Sequence, residues 1–410
     1  MHRGAAWGIV GAIAAAAAAV IGAGGLILRP VPTLSVTTYQ VTSASQPAQA
    51  QISWPQVREA AVTVEGFGRT WSHGTQAEVP MASITKIMTA YIILRDHPLS
   101  GDEQGPLIPV TAEDAQEYKS SLKAGDSSAK VAAGESLTER QALEALMLPS
   151  ADNVAWLLAT WDAGSTDAFA GKMNTVARSL GMHHTDYTDP SGLDATTVST
   201  AVDQLALVRA AMKLPVFAQI VAMPSATIPV AGTIANYNGR TGTDGIVGIK
   251  TGTTSQAGGC WAFAVNRHVG GATHLVYGVV FGAPLLAGNQ QAAAAIDAGL
   301  NLADAMPGTV RKLTVLPAGA AVGQIIVPWS KTPVPVVTAR PLAGLAVAGT
   351  HITLSPRASL PATALAPGAT LAGGAAVGEV TATGLTRPAS VPLVTASAVS
   401  KPSLAWRLSR

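Results

Sequence analysis

The sequence predicts an α+β protein in which an antiparallel sheet is covered by helices, followed by a small all-β domain. Three observations support this fold class. Candidate strands lie towards the two ends of residues 55–306 and candidate helices lie between them, as α+β domains commonly show. After Pro307 the sequence changes to short β-branched runs interrupted by proline and glycine. A chain of 410 residues is also too long for one ordinary hydrophobic core.

The N-terminus predicts export from the cytoplasm. Residues 5–28 carry no charge and would span about 36 Å as a helix, enough to cross a bilayer. Arg3 precedes this segment and Arg29 follows it, and the small-x-small exit of a cleaved signal peptide is weak. We therefore expect residues 1–29 to be a signal anchor in the cell membrane, with a cleaved signal peptide as the alternative. Both interpretations place the remaining domains outside the cytoplasm.

Composition predicts a linker and shows an uneven distribution of charge along the chain. Residues 30–54 are rich in Ser, Thr, Pro and Gln without helical periodicity, which predicts an extended linker. The segment 307–410, the predicted small β-rich C-terminal domain, is basic, although the whole chain has a net charge of only +2. Its cations either contact an anionic surface, such as wall polymer or lipid, or are simply solvated. They are scattered and few aromatic residues lie among them, so nucleic-acid binding finds no support.

The elements of the main domain, residues 55–306, follow in order. EAAVTVEG opens it as a strand, and GRTWSHGTQ is the partner strand. A helix is expected over 83–96, a second opens at the capping box of Thr138 and Gln141, and a third follows Pro149. STAVDQLALVRAAM and QQAAAAIDAGLNLADAM predict further helices. GIVGIKTGT, WAFAVNR and THLVYGVVFG predict consecutive strands separated by glycine-rich turns.

Ser83 and Lys86 form the first chemical motif. Their i, i+3 spacing puts both side chains on one helical face, near the N-terminus, where negative charge is favoured. A serine hydroxyl is a poor nucleophile without a base. A lysine is such a base only when it is uncharged, which burial among apolar neighbours and a second cation favour. Alone, the pattern S-x-x-K is common by chance.

Two further motifs lie far along the chain. PSADN supplies Ser150, Asp152 and Asn153 at a helix start, and KTGT begins at Lys250 on a predicted strand. With S-x-x-K, this order and spacing resembles the penicillin-recognising serine D,D-peptidases. The closer resemblance is to the low-molecular-weight D-alanyl-D-alanine carboxypeptidases, of the S11 type, of bacterial cell-wall metabolism. It covers about residues 55–300 and includes the turn DPSGLD.

The resemblance implies a β-lactamase/D,D-peptidase-like domain with an all-helical subdomain, and a site that needs no metal and no cofactor. It implies that Ser83 attacks the carbonyl between the two terminal D-alanines of a peptidoglycan stem peptide and becomes the acyl-enzyme. Lys86 then takes the serine proton and Ser150 relays a proton to the departing D-alanine. The backbone N–H groups of Ser83 and Thr253 are the implied oxyanion hole. The implied substrate-binding residues are Asn153, Asp152, Lys250, Thr251, Gly252 and Thr253.

One departure concerns the second motif. The family commonly carries asparagine two positions after the serine, whereas here Asp152 holds that position and Asn153 follows. Either residue could therefore fill the amide position. The expected partners are the stem peptide ending in D-Ala-D-Ala, β-lactam antibiotics as covalent inhibitors and, through residues 5–28, the membrane.

Three alternative functions stay open at this point. A D,D-endopeptidase that cuts cross-links uses the same residues. A non-catalytic cell-wall-binding protein is compatible with the departure at Asp152. A class A β-lactamase requires a glutamate between the second and third motifs, and residues 151–249 contain none.

Overall fold

The computed structural model describes residues 3–43, 51–286 and 292–409. Contacts divide the chain into two compact units, the larger Ala50–Val310 and the smaller Met1–Gln49 with Arg311–Arg410. The helices are α1 (Arg3–Ile27), α2 (Lys86–Asp96), α3 (Ala112–Ala124), α4 (Glu139–Met147), α5 (Asp152–Ala163), α6 (Thr166–Ser179), α7 (Ala201–Ala211), α8 (Pro215–Val221), α9 (Ala293–Ala305) and α10 (Leu404–Leu408). The strands are β1 (Ser35–Thr38), β2 (Glu59–Val64), β3 (Thr70–His73), β4 (Val79–Pro80), β5 (Leu107–Pro109), β6 (Ser136–Thr138), β7 (Val198–Ser199), β8 (Ser225–Ile228), β9 (Gly232–Ala235), β10 (Ile246–Thr254), β11 (Gly258–Val269), β12 (Ala272–Ala283), β13 (Val310–Leu316), β14 (Ala321–Ile326), β15 (Val334–Thr338), β16 (Leu342–Val347), β17 (Thr353–Ala358), β18 (Ala376–Thr383) and β19 (Ala389–Thr395).

The larger unit is built on a five-stranded sheet in the order β10-β11-β12-β2-β3, with every neighbouring pair antiparallel. Every residue of β2 is buried, and α7 and α9 pack against the sheet. Gly299 of α9 makes room for the buried ring of Trp261, since a Cβ there would lie 2.5 Å from that ring. The predicted α+β class, with consecutive antiparallel strands, is therefore confirmed.

Helices that lie between β3 and β10 in the chain form the second layer of this unit. The central helix is α2, which contacts α4, α5, α6, α7 and α8 and is buried from Lys86 to Leu94. A helix surrounded in this way is apolar on every side, which explains the run of apolar residues around Lys86. The predicted capping box opens α4: Gln141 N donates to Thr138 Oγ1 over 3.2 Å, and Thr138 N donates to Gln141 Oε1 over 2.9 Å. Pro149 separates α4 from α5, as predicted.

The smaller unit contains a six-stranded antiparallel sheet in the order β1-β14-β15-β19-β18-β17 and a separate pair, β13 with β16. Val336, Val380 and Leu393 are fully buried in its core. The sheet-rich C-terminal region predicted after Pro307 is therefore present.

The predicted extended linker over 30–54 is wrong for part of its length. Residues 35–38 form β1, which pairs antiparallel with β14 at the end of the six-stranded sheet. Leu34 is buried in the core of the smaller unit, and Val36 packs against that core. These alternating apolar residues give the segment an inner face, which its Ser- and Thr-rich composition concealed. Residues 44–50 of the predicted linker lie outside the described residues.

The N-terminal apolar segment forms α1. Within the described ranges, no single helix is both long and apolar enough to cross a membrane, and Ala12–Ile27 is a shorter apolar helix. The helices α7 and α8 would qualify only as a pair bent by 111°. Most residues of that pair are buried inside the larger unit. The membrane anchor at 5–28 stays a prediction.

Candidate active site

Ser83 and Lys86 lie together at the start of α2. Ala82–Thr85 form one 3-10 turn, and Lys86 is the first residue of the α-helix. Lys86 Nζ donates a hydrogen bond to Ser83 Oγ over 2.8 Å, and the lysine side chain is fully buried. The i, i+3 spacing therefore brings the two groups into contact, through a tighter turn than the helix expected over 83–96.

The turn that carries Ser83 depends on an uncommon backbone conformation at Ala82, whose φ is 51°. A left-handed φ at a residue with a side chain costs about 1–3 kcal/mol and has to be held by its surroundings. Thr85 Oγ1 donates to Ala82 O over 2.9 Å. Gly192 lies so close that a Cβ on it would be 2.0 Å from the same oxygen, and its own φ of 84° also requires glycine.

Asp152 is the ion-pair partner of Lys86. The Lys86 Nζ atom lies 2.5 Å from Asp152 Oδ1, and the two side chains are 0% and 2% exposed. The same Nζ donates to the carbonyl of Ser191 over 2.9 Å, so its three protons have three acceptors with Ser83 Oγ included. Burial raises the pKa of the Asp152 carboxyl, and the charges of Lys86 and Lys250 oppose that rise.

Asn153 faces away from this cluster. Its Oδ1 accepts from Ala129 N and its Nδ2 donates to Ala129 O, each over 3.0 Å. Successive helical residues point about 100° apart, so Asp152 and Asn153 cannot both face Lys86. Of the two residues, Asp152 faces Lys86. Asn153, predicted to bind substrate, instead ties residues 126–129 to α5.

Ser150 lies in the turn between α4 and α5 with a φ of 64°. Its Oγ is buried and has no hydrogen-bond partner among the described residues. A buried hydroxyl without a partner is destabilising. Ser150 also lines the cleft beside Ser83, where a bound substrate could supply the missing partner.

The third motif lies on β10, at the edge of the five-stranded sheet. A Cβ on Gly252 would be 2.9 Å from Ser83 N, so only glycine lets the strand pass this close to the serine turn. Lys250 is buried, and its Nζ donates to Thr251 O over 2.9 Å. Burial lowers the pKa of Lys250 well below its ordinary value, and the charge of Lys86 lowers it further.

A polar turn at 189–194 provides the remaining acceptor for Lys86. Asp189 Oδ2 accepts from the N–H groups of Ser191 and Gly192 over 3.1 and 2.7 Å and from the Ser191 hydroxyl over 2.6 Å. This Asx turn fixes the Ser191 carbonyl against Lys86. These residues were not among those predicted for the site, although the DPSGLD turn can be read directly from the sequence.

A cleft of about 530 Å³ opens beside Ser83 and brings the three motifs together. The lining residues are Ser83, Gly125, Asp126, Ser127, Ser150, Tyr237, Thr251, Gly252, Thr253 and Ala292. Asp126, Ser127 and Tyr237 were not predicted, because they come from loops whose approach depends on the tertiary fold. Within the described ranges, no group of three or more His, Cys, Asp or Glu side chains could hold a metal ion.

The arrangement of the three motifs agrees with a known family. The family model for D-alanyl-D-alanine carboxypeptidases, Peptidase S11, matches residues 70–284, just over half of the chain. The chain belongs to the D-alanyl-D-alanine carboxypeptidase family. The matched span contains Ser83, Lys86, Ser150 and the KTGT strand.

Curated relatives in this family include both carboxypeptidases and endopeptidases. The chain is 32% identical over 249 residues to a D-alanyl-D-alanine endopeptidase of Pseudomonas aeruginosa, covering 57% of this chain and 76% of that protein. It is 33% identical over 203 residues to a D-alanyl-D-alanine carboxypeptidase of a Streptomyces species, covering 45% of this chain and 67% of the relative.

Solved structures of D,D-peptidases are also similar to this chain. The Streptomyces K15 DD-transpeptidase superimposes with a TM-score of 0.53 at 26% identity, covering 62% of this chain and 98% of that chain. The D-alanyl-D-alanine carboxypeptidase DacD of Francisella tularensis gives a TM-score of 0.56, covering 88% of this chain and 97% of that one. At 19% identity, the second likeness concerns the fold alone.

Proposed function

We propose that this D-alanyl-D-alanine carboxypeptidase family member removes the terminal D-alanine from peptidoglycan stem peptides through an acyl-enzyme on Ser83. The observation that carries the proposal is the contact of 2.8 Å between Lys86 Nζ and Ser83 Oγ, in a cleft that Ser150 and β10 also line. The Streptomyces relative, a D-alanyl-D-alanine carboxypeptidase, supports the same substrate class.

Acylation requires Lys86 as a free amine. Burial raises the pKa of the Asp152 carboxyl, which favours its protonated form. The contact between Lys86 Nζ and Asp152 Oδ1 gives the proton a direct path between the two groups, and we assign it to Asp152 at the moment of acylation. Lys86 Nζ then takes the proton of Ser83 Oγ while that oxygen bonds to the carbonyl carbon of the penultimate D-alanine.

The tetrahedral intermediate places negative charge on the former carbonyl oxygen. The proposed donors to it are the N–H groups of Ser83 and Thr253, and Ser83 N lies against Gly252, the neighbour of Thr253. When the C–N bond breaks, Ser150 Oγ gives its proton to the departing amine and recovers one from Lys86. Water then cleaves the acyl ester and restores the serine.

The terminal carboxylate of the substrate is assigned to the hydroxyls of Thr251 and Thr253, which line the cleft. Lys250 precedes them on β10, and burial lowers its pKa well below the ordinary value. An arriving carboxylate favours the ammonium form of Lys250.

Labelling with a fluorescent penicillin tests the serine assignment, because a β-lactam would acylate the same nucleophile. The intact full-length chain should gain one adduct, and peptide mass spectrometry should place it on Ser83. Ser83→Ala should abolish both the label and D-alanine release, whereas the exposed matched control Ser72→Ala should retain both. Activity that survives Ser83→Ala would refute the proposal. Rapid loss of the label would instead indicate a β-lactamase. If the parent chain releases no D-alanine, a non-catalytic wall-binding protein would be indicated.

Cleavage of D,D cross-links is a second candidate, favoured by the endopeptidase relative from Pseudomonas aeruginosa. The same catalytic residues would serve, with an amide-linked second peptide as the leaving group. Incubation of the purified full chain with a pentapeptide and with a cross-linked dimer, followed by chromatography of the products, separates the two activities. Release of D-alanine from the pentapeptide alone would support the carboxypeptidase.

The proposed location is outside the cytoplasm, where the stem peptides occur. Residues 5–28 would hold the chain in the membrane, or be removed on export. The proposed catalytic domain is 55–306, and 307–410 is the proposed C-terminal domain. Sedimentation of the full-length chain with membranes, and its release when residues 1–29 are deleted, would test the anchor.

A further inference from the structure

Asp126 places a carboxylate in the cleft that takes no part in the bond changes of the proposed chemistry, although its charge adds to burial in raising the pKa of Asp152. It is half-buried, and among the described lining residues it has the one acidic side chain. No hydrogen bond or ion pair to its carboxylate occurs in the described part of the chain. The cleft therefore carries one carboxylate that has no hydrogen-bond or ion-pair partner among the described residues.

The position of Asp126 is fixed by its neighbours. Gly125 caps the C-terminal end of α3 with a left-handed φ of 81°, and Asp126 N donates to Ser121 O over 2.9 Å. On the other side, Asp152 N donates to Ser127 O over 2.8 Å. The carboxylate is thus carried by a loop joined to the start of α5.

Asp126 and the KTGT strand belong to different parts of the cleft. Thr251 and Thr253 of β10, the proposed carboxylate holders, come from the sheet, whereas Asp126 comes from the helical layer. A second anion beside Asp126 would be repelled, and a cation would be attracted. A substrate side chain that is neutral or anionic would gain no electrostatic attraction from Asp126.

We propose that Asp126 selects peptides that carry a free side-chain ammonium on the residue preceding D-Ala-D-Ala. The carboxylate would pair with that ammonium while the terminal carboxylate occupies the threonines. Asp126 is then a specificity residue of the proposed D,D-peptidase, and this inference rests on that proposed function. The acylation chemistry at Ser83 itself does not require it.

Two synthetic peptides test the proposal on the purified full chain. Nα-acetyl-L-lysyl-D-alanyl-D-alanine carries the ammonium, and Nα,Nε-diacetyl-L-lysyl-D-alanyl-D-alanine lacks it. The parent should prefer the first by about fivefold to tenfold in kcat/KM at low salt, and the preference should shrink in 0.5 M salt. Asp126→Asn should bring the ratio close to 1, Asp126→Glu should keep it, and Asp126→Lys should reverse it.

Asp102→Asn is the matched control, since it removes an exposed carboxylate outside the cleft and should leave the ratio unchanged. Melting temperatures of all variants check that each one folds. Turnover of both peptides with the same ratio in the parent, Asp126→Asn and Asp126→Lys would overturn the role of Asp126 and leave the D,D-peptidase proposal intact. Turnover of neither peptide by the parent would overturn both.

Discussion

Replacing Asp152 with alanine directly tests the buried pair at the centre of the site. Lys86 Nζ and Asp152 Oδ1 are 2.5 Å apart and the side chains are 0% and 2% exposed, so alanine would leave Lys86 in the interior without its counter-charge. Removing one partner of such a pair costs about 3–5 kcal/mol of unfolding free energy. In a unit of this size each kcal/mol corresponds to about 2–4 °C, which gives a decrease of roughly 6–20 °C in Tm.

Differential scanning calorimetry of the full chain measures this decrease. Asp152→Asn keeps an oxygen that can accept from Lys86 Nζ, so its loss should be smaller by about 1.5–3 kcal/mol. The exposed control Asp102→Ala should change the melting temperature by less than about 2 °C. Penicillin acylation of Ser83 should fall about 100-fold in Asp152→Ala, because Lys86 Nζ would no longer be held against Ser83 Oγ.

Two results would refute the reasoning. A melting temperature for Asp152→Ala close to that of the parent would mean that Lys86 has no buried counter-charge to lose. The double variant Lys86→Met with Asp152→Ala removes both charges and should recover part of the stability lost in Asp152→Ala. If the loss of stability in the double variant equals the sum of the losses in Lys86→Met and Asp152→Ala, the two side chains do not interact.

Three further predictions concern a buried glutamate outside the cleft and two residues that support the site. Glu139 is fully buried and burial raises its pKa from 4.5 to about 7, so the folded state should lose stability as pH rises through that window. In urea titrations at pH 5 and pH 8, Glu139→Gln should remove up to roughly 3 kcal/mol of this loss of unfolding free energy. An equal loss between the two pH values in the parent and in Glu139→Gln would contradict this prediction. Gly192→Ala would put a Cβ 2.0 Å from Ala82 O and should slow penicillin labelling of Ser83. An unchanged labelling rate would mean that this turn does not position Ser83. Asn153→Ala removes two buried hydrogen bonds to Ala129 and should cost about 2–3 kcal/mol in calorimetry, so a neutral effect would exclude its structural role.

Local patterns predicted much of the fold and part of the site. The contact between Ser83 and Lys86 followed from a spacing of three residues, and the start of α4 from a capping box, because both interactions are settled within one helical turn. The three strands around Lys250 followed from apolar runs separated by glycine. The meeting of Ser83, Ser150 and the KTGT strand could be expected only from the family resemblance, since no local rule joins segments so far apart.

Other features could not be read from the sequence for physical reasons. Whether Asp152 or Asn153 faces Lys86 depends on where α5 begins, and one residue of shift rotates a side chain by about 100°. Asp126 and Tyr237 reach the cleft through loops whose paths are fixed by distant contacts. The strand β1 was missed because a four-residue strand has too few positions for its alternation to outweigh a linker-like composition.

The strand β1 has a consequence for any shortened form of the protein. The chain makes the first strand of the smaller unit before it makes the larger unit, and the partner strand β14 is synthesised only afterwards. Deleting everything before residue 55 would strip β14 of a neighbour and leave its backbone N–H and C=O groups open to pairing with other molecules. A shortened version should therefore start between residues 29 and 34, so that the apolar segment 5–28 is absent but the sheet keeps its full complement of strands.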